Sequence, residues 1–203
     1  MNEREMEQWL QEADGRMPAG IFARAGGSLL MMIGLPGAGK SHLINHVQSL
    51  LPCIVVRSDD VRAQRLSHPQ YAQSEKDAIY ALCHALIARR LRRGQRVVFD
   101  ATNHLRARRH ALLEVAAQCG AAVAICHVSA SEEATRQRLL ARHNGARRAE
   151  DRSDAGWRVY QLLREQFEPP RLPHLALDSS ATPSPDLARR LCDYWLACEG
   201  RGQ

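Results

Sequence analysis

Apolar residues fall along this chain in two alternating rhythms. Short unbroken runs, Leu29 to Ile33, Cys53 to Val56, Val97 to Phe99, Ala121 to Val128 and Leu175 to Leu177, predict strands buried on both faces, as in a parallel sheet. Between them the apolar positions recur at helical spacing: Met6, Trp9, Leu10, Ala13 and Met17; then Leu43, Val47, Leu50 and Leu51; then Ile79, Leu82, Cys83, Leu86 and Leu91. The third set lies in a helix predicted from about Ser74 to Arg93, with Gly94 as its stop. Further helices are predicted over about Leu105 to Gln118, from Ser129 or Ser131 onward, over Trp157 to Phe167 and over Asp186 to Cys198. Alternation of this kind gives an α/β fold, a five-stranded parallel sheet between helices. Residues 1–27 are predicted as a helical extension packing on the sheet, and residues 28–199 as a single domain. The one long irregular stretch, about 143–156, is polar and rich in arginine, the composition of a lid.

The first apolar run ends in Gly34-Leu35-Pro36-Gly37-Ala38-Gly39-Lys40-Ser41, followed by His42 and a helix. This is the G-x-x-x-x-G-K-[ST] phosphate-binding loop in its strand–loop–helix setting. Glycines let successive backbone N–H groups turn inward onto phosphate oxygens, and the helix N-terminus adds positive potential. Lys40 is placed for the β- and γ-phosphates and Ser41 for Mg²⁺. The expectation is a P-loop NTPase fold that binds ATP with Mg²⁺.

Charge adds less. Lys and Arg number 28 against 22 Asp and Glu, for a net charge of +6. Only Lys40 and Lys76 are lysines. Such a balance admits anionic partners, nucleic acid among them. Three Phe, four Tyr and three Trp, mostly in helical segments, do not interleave the basic patches as base-stacking surfaces require, which favours a small acceptor. The six cysteines form no C-x-x-C pair and read as core thiols. His42 and His46 share a helix face without the Cys or acidic partners of a zinc site. The start is charged and no apolar run approaches membrane length, so a cytoplasmic protein without membrane association is expected. No protein partner is indicated.

Ligands of such sheets bind beyond the carboxyl ends of the strands. The residues there are the phosphate loop, Ser58-Asp59-Asp60-Val61-Arg62, Asp100-Ala101-Thr102-Asn103 and Asp178-Ser179-Ser180. Phosphoryl transfer to a hydroxyl needs a base, a divalent cation and positive charge over the transferred group. Asp59 or Asp60 is the candidate base, the other being a helix cap. Arg62 is a candidate for holding an anionic acceptor, and Asp100 for the Mg²⁺ shell. Thr102 and Asn103 either orient Asp100 or touch the acceptor. Arg106, Arg108 and Arg109 are an acceptor cradle or a basic helix start. Arg138 and Arg142, four apart, share a helix face leading toward Arg147, Arg148 and Arg152 of the lid. Closing these over ATP brings charge to the γ-phosphate and excludes water.

Taken together, Gly34 to Ser41, Asp59-Asp60-x-Arg62, Asp100 to Asn103 with Arg108-Arg109, and the Arg138/Arg142 pair resemble the P-loop kinase family that includes the kinase domain of phage polynucleotide kinase, an AAA-type ATP-binding domain. The resemblance covers roughly residues 28 to 170. The chain is also similar to small metabolite kinases and, more distantly, to zeta toxins. The resemblance implies Asp59 as the general base, Arg62 on the acceptor's phosphate, Lys40, Ser41 and Arg142 on the ATP phosphates, and the Asp178 to Ala181 turn near adenine. His42 stands where that family usually has Thr, and Ala101 where the phage enzyme has Asp, with Asp100 one residue earlier. The implied activity is transfer of the γ-phosphate of ATP to a hydroxyl of a metabolite or a polynucleotide 5′ end; a regulatory ATPase and a nucleotide-sugar kinase are the alternatives.

Overall fold

The run that predicted the first strand forms β1, Ser28–Ile33, and every one of its residues is buried. Successive side chains on a strand face opposite ways, and β1 feeds both layers of the core: Leu29, Met31 and Ile33 join one apolar cluster, Leu30 and Met32 the other. The remaining strands are β2 (Ile54–Arg57), β3 (Arg96–Asp100), β4 (Ala122–Ser129) and β5 (Leu175–Asp178). They assemble in the order β2-β3-β1-β4-β5, all neighbours parallel. A computed structural model describes residues 3–66, 70, 72–143 and 155–201.

Among the described residues there are eight helices: α1 (Glu3–Arg16), α2 (Lys40–Leu50), α3 (Ser58–Arg65), α4 (Gln73–Arg92), α5 (Arg106–Gln118), α6 (Glu132–His143), α7 (Trp157–Glu165) and α8 (Ser184–Gly200). One face of the sheet carries residues of α3, α4 and α5 around Phe99, and the other carries α2 and α8 around Trp195. Trp195 is fully buried, and its indole N–H donates to Ser28 Oγ at 2.7 Å, so its one polar group stays satisfied in the core. Helix α4 stops as its sequence demands: Gly94 takes φ 74°, a left-handed turn that glycine adopts without strain, and its N–H reaches Leu91 O at 2.8 Å.

The extension differs from expectation. Instead of lying chiefly on the sheet, α1 packs on α4. Asp14 pairs with Arg90 at 2.5 Å and with Arg93 at 2.8 Å, while Leu10 and Ala13 complete the apolar contact. A buried Arg90 requires such a counter-charge, and that requirement draws the extension to α4. The cysteines are free, three of them buried. Among the described residues no group of three or more His, Cys, Asp or Glu could hold a metal, and no helix is long and apolar enough to cross a membrane. The expected lid falls almost wholly outside the described residues, and Arg147, Arg148 and Arg152 with it.

Candidate active site

Because β1 is the central strand, the phosphate loop that follows it opens between the ends of β3 and β4. Gly37 and Gly39 take φ 80° and 88°, and Gly39 is the N-cap of α2. Larger residues are excluded on contact grounds as well: a Cβ on Gly34 would stand 2.4 Å from Val128 O, and one on Gly37 2.9 Å from Thr135 Cγ2. The backbone is therefore free to present its N–H groups. Lys40 Nζ folds back onto the carbonyls of Gly34 and Leu35, at 2.8 and 3.2 Å.

Loss of hydration lowers the pKa of Lys40; Asp100 and Asp59 act against that shift, and Arg142 adds to it. These charges come from the ends of β2 and β3, the phosphate loop and α6, so four predicted residues share one electrostatic neighbourhood. Ser41 Oγ donates to Asp100 Oδ2 at 2.8 Å, and Asp100 is buried at the tip of β3 with Arg57 Nε 3.6 Å away. A hydroxyl and a carboxylate side by side at a phosphate loop suit Mg²⁺, which takes one or two protein oxygens and completes its shell with water and phosphate oxygens. Ser41 and Asp100 would hold it, and it would neutralise charge between the β- and γ-phosphates.

Arg138 works from the other side. Its guanidinium donates to Gly37 O at 3.1 Å, to Ser179 Oγ at 2.8 Å and to Ser179 O at 2.9 Å, while Ser179 Oγ donates to Ala38 O at 2.8 Å. The turn after β5 thus clasps the phosphate loop through α6. Ser179 was placed near the nucleotide by sequence, but its grip on the loop carbonyls is legible only in three dimensions.

At the end of β2, Asp59 and Asp60 lie in the first turn of α3, which suits the helix dipole. Neither caps the helix: its N-cap is Arg57, without a side-chain cap bond. Asp60 faces Arg57 at 3.8 Å. Asp59 Oδ1 accepts from Arg62 Nη1 at 2.8 Å, and Arg62 Nε stands 3.3 Å from Glu75 Oε1 of α4. Glu75 had no sequence signal.

The loop after β3 puts its residues to local use. Thr102 O accepts the Gly34 N–H at 3.1 Å. Asn103 is fully buried with φ 47°, and its Nδ2 donates to Met32 O at 2.7 Å. Arg109, also buried, donates to Asn103 O at 2.8 Å, His104 O at 3.1 Å and Glu168 O at 2.8 Å. That is the placement of a loop fastener. Arg108 lies over the Tyr80 ring, 4.4 Å from its centroid, and pairs with Asp77; Arg106 is exposed. Burial pushes the Tyr80 phenol up to about 12, so it stays protonated beside Thr102 and Asn103.

Residues 29–170 match the family described as AAA domain. The chain belongs to that family. Its fold is that of P-loop kinases. The Mycobacterium tuberculosis APS kinase, solved with AMPPNP and APS, superposes with a TM-score of 0.64 at 17% identity, covering 83% of this chain and 96% of that one. A gluconokinase from Sinorhizobium meliloti gives 0.57 at 20% identity over 88% and 94%. Chaetomium thermophilum Kti12, solved with ADP-AlF3, gives 0.65 at 19% identity over 84% and 98%. A sequence search of curated proteins gives no match.

Proposed function

We propose that this chain is an ATP- and Mg²⁺-dependent phosphotransferase that moves the γ-phosphoryl group to a hydroxyl of a small acceptor. The observation that carries the reading is a carboxylate at each of two strand ends: Asp59 after β2, held by Arg62 at 2.8 Å, and Asp100 at the tip of β3, bonded to Ser41 Oγ of the phosphate loop at 2.8 Å. A chain that merely held a nucleotide would need the second of these, beside Ser41, and not the first. In this reading Lys40 and the loop from Gly34 to His42 hold the triphosphate, Ser41 and Asp100 hold Mg²⁺, Arg142 guards the transferred group, and Arg138 steadies the loop that carries it. Asp59 accepts the proton of the attacking hydroxyl as that oxygen bonds phosphorus and the bond from phosphorus to the ADP oxygen breaks. Residues 28–199 form the kinase-like unit, and residues 1–27 extend it.

The small acceptor is favoured over a polynucleotide end by the low aromatic content of the chain, three Phe, four Tyr and three Trp, and the similarity to APS kinase and gluconokinase agrees with it. The test is purified protein with γ-labelled ATP and Mg²⁺, offered sugars, sugar acids, nucleosides, a nucleotide sugar and 5′-OH oligonucleotides. Label in an acceptor that is lost in both Lys40→Ala and Asp59→Asn is the expected result. Release of labelled phosphate alone, unchanged by Asp59→Asn, would overturn the proposal in favour of a regulatory ATPase.

A further inference from the structure

Arg62 occupies a position that a surface arginine does not. Its side chain is only 10% exposed, and it lies between two carboxylates: Asp59 at 2.8 Å, which is 37% exposed, and Glu75 at 3.3 Å, which is 14% exposed. A guanidinium taken out of water needs compensation, and a carboxylate as open to solvent as Asp59 supplies little, because water screens the pair. Glu75 is the sheltered partner. Its other oxygen, Oε2, accepts the backbone N–H of Gln70 at 2.7 Å, so the carboxylate is itself held at the α3–α4 connection. The chain of contacts runs from Glu75 of α4 through Arg62 to the carboxylate of Asp59, in the first turn of α3 just past β2.

We propose that Glu75 is a positioning residue: by holding Arg62 it fixes the orientation of Asp59 toward the acceptor hydroxyl. The inference rests on Asp59 being the base. The guanidinium of Arg62, flanked on both sides, serves the base instead of an acceptor phosphate. Asp59 carries its carboxylate on a single methylene and has few rotamers, so an error in its aim comes from its partner, and the partner's own aim is set by Glu75. The transfer geometry is thereby made sensitive to a residue of α4 that touches neither nucleotide nor acceptor.

The experiment compares Glu75→Gln, Arg62→Lys and Asp59→Asn, alone and with Glu75→Gln added to Asp59→Asn, using the acceptor found in the labelling screen. Glu75→Gln keeps the shape and removes the charge. The expected result is a fall in kcat of about tenfold to a hundredfold, the scale on which misplaced reacting groups cost rate, with KM for ATP unchanged. In the Asp59→Asn background the same change is expected to cost nothing further, because residues that act through one another are non-additive. Circular dichroism and melting temperature establish that each variant folds, and Glu75→Asp, which restores the charge, recovers part of the lost rate if the variant Glu75→Gln is properly folded. An unaltered kcat in Glu75→Gln, or an equal further loss in the Asp59→Asn background, overturns the proposal. Full transfer by Asp59→Asn itself overturns the assignment of the base, a different failure from the first.

Discussion

The two halves of the crevice are built in different ways. The half that faces the nucleotide is made of backbone: three glycines, the carbonyls that Lys40 and Arg138 grip, and a helix N-terminus, all within the eight residues from Gly34 to Ser41 and the turn at Ser179. The other half is made of side chains that meet from separate elements: Asp59 and Arg62 from α3, Glu75 and Tyr80 from α4, Arg108 from α5. Backbone geometry serves any triphosphate, since every triphosphate has the same shape. Side-chain geometry has to be re-made for each acceptor, and this separation lets one fold serve many substrates.

Substitutions can pull the halves apart. Lys40→Ala is expected to have the largest effect, lowering both acceptor labelling and background ATP hydrolysis by about 10³-fold, the scale for losing a preorganised charge at the transferred group. Asp59→Asn is expected to lower labelling by roughly 10²- to 10³-fold, as for loss of a general base, while ATP binding by calorimetry stays as it was. Parallel loss of ATP affinity in Asp59→Asn would erase the distinction between the halves.

A third comparison uses pH. His84 of α4 lies behind the side-chain half, 6.1 Å from the Tyr80 ring and 6.0 Å from Phe99, and burial, with Arg108 adding, pulls its pKa down to about 4. The unfolded chain binds that proton near pH 6.5 and the folded one only near pH 4. Stability is therefore complete above the unfolded value and declines as pH falls through this window, by on the order of 2 kcal/mol. Urea melts of wild type and His84→Phe at pH 7.5 and 5 are expected to show a smaller acid loss in the variant; equal losses would place the acid sensitivity elsewhere. The smallest effect expected is that of Arg138→Gln, about tenfold in KM for ATP from the loss of charge-assisted bonds to the loop, with the acceptor KM unmoved.

These halves were also unequally readable from the amino-acid order. The phosphate loop is contiguous, so its spacing alone gives glycine turn, ammonium and helix start. The parallel sheet followed from unbroken apolar runs such as Leu29 to Ile33, which only a strand covered on both faces requires. Strand ends shifted by a residue or two: β2 begins at Ile54 and runs to Arg57, where pairing with Asp100 of β3 continues past the apolar stretch. The side-chain half was legible residue by residue but not as a set of contacts. Arg62 read as an anion holder beside Asp59, but its second carboxylate lies thirteen positions further on, across a helix boundary. Arg109 read as an acceptor cradle or a basic helix start, while its burial against backbone carbonyls depends on where residues 168 and 169 return to the sheet. Spacing carries local geometry; it does not carry which distant group neutralises a charge.

The clasp of Arg138 and Ser179 on the phosphate loop has a thermodynamic corollary. Because α6 is bonded to the Gly37 carbonyl, a nucleotide that stiffens the loop also restrains α6, and anything that restrains α6 must favour the nucleotide by the same factor. Helix α6 is thus a shared lever: occupancy of the loop sets the stiffness of the helix, and the exchange runs equally in both directions.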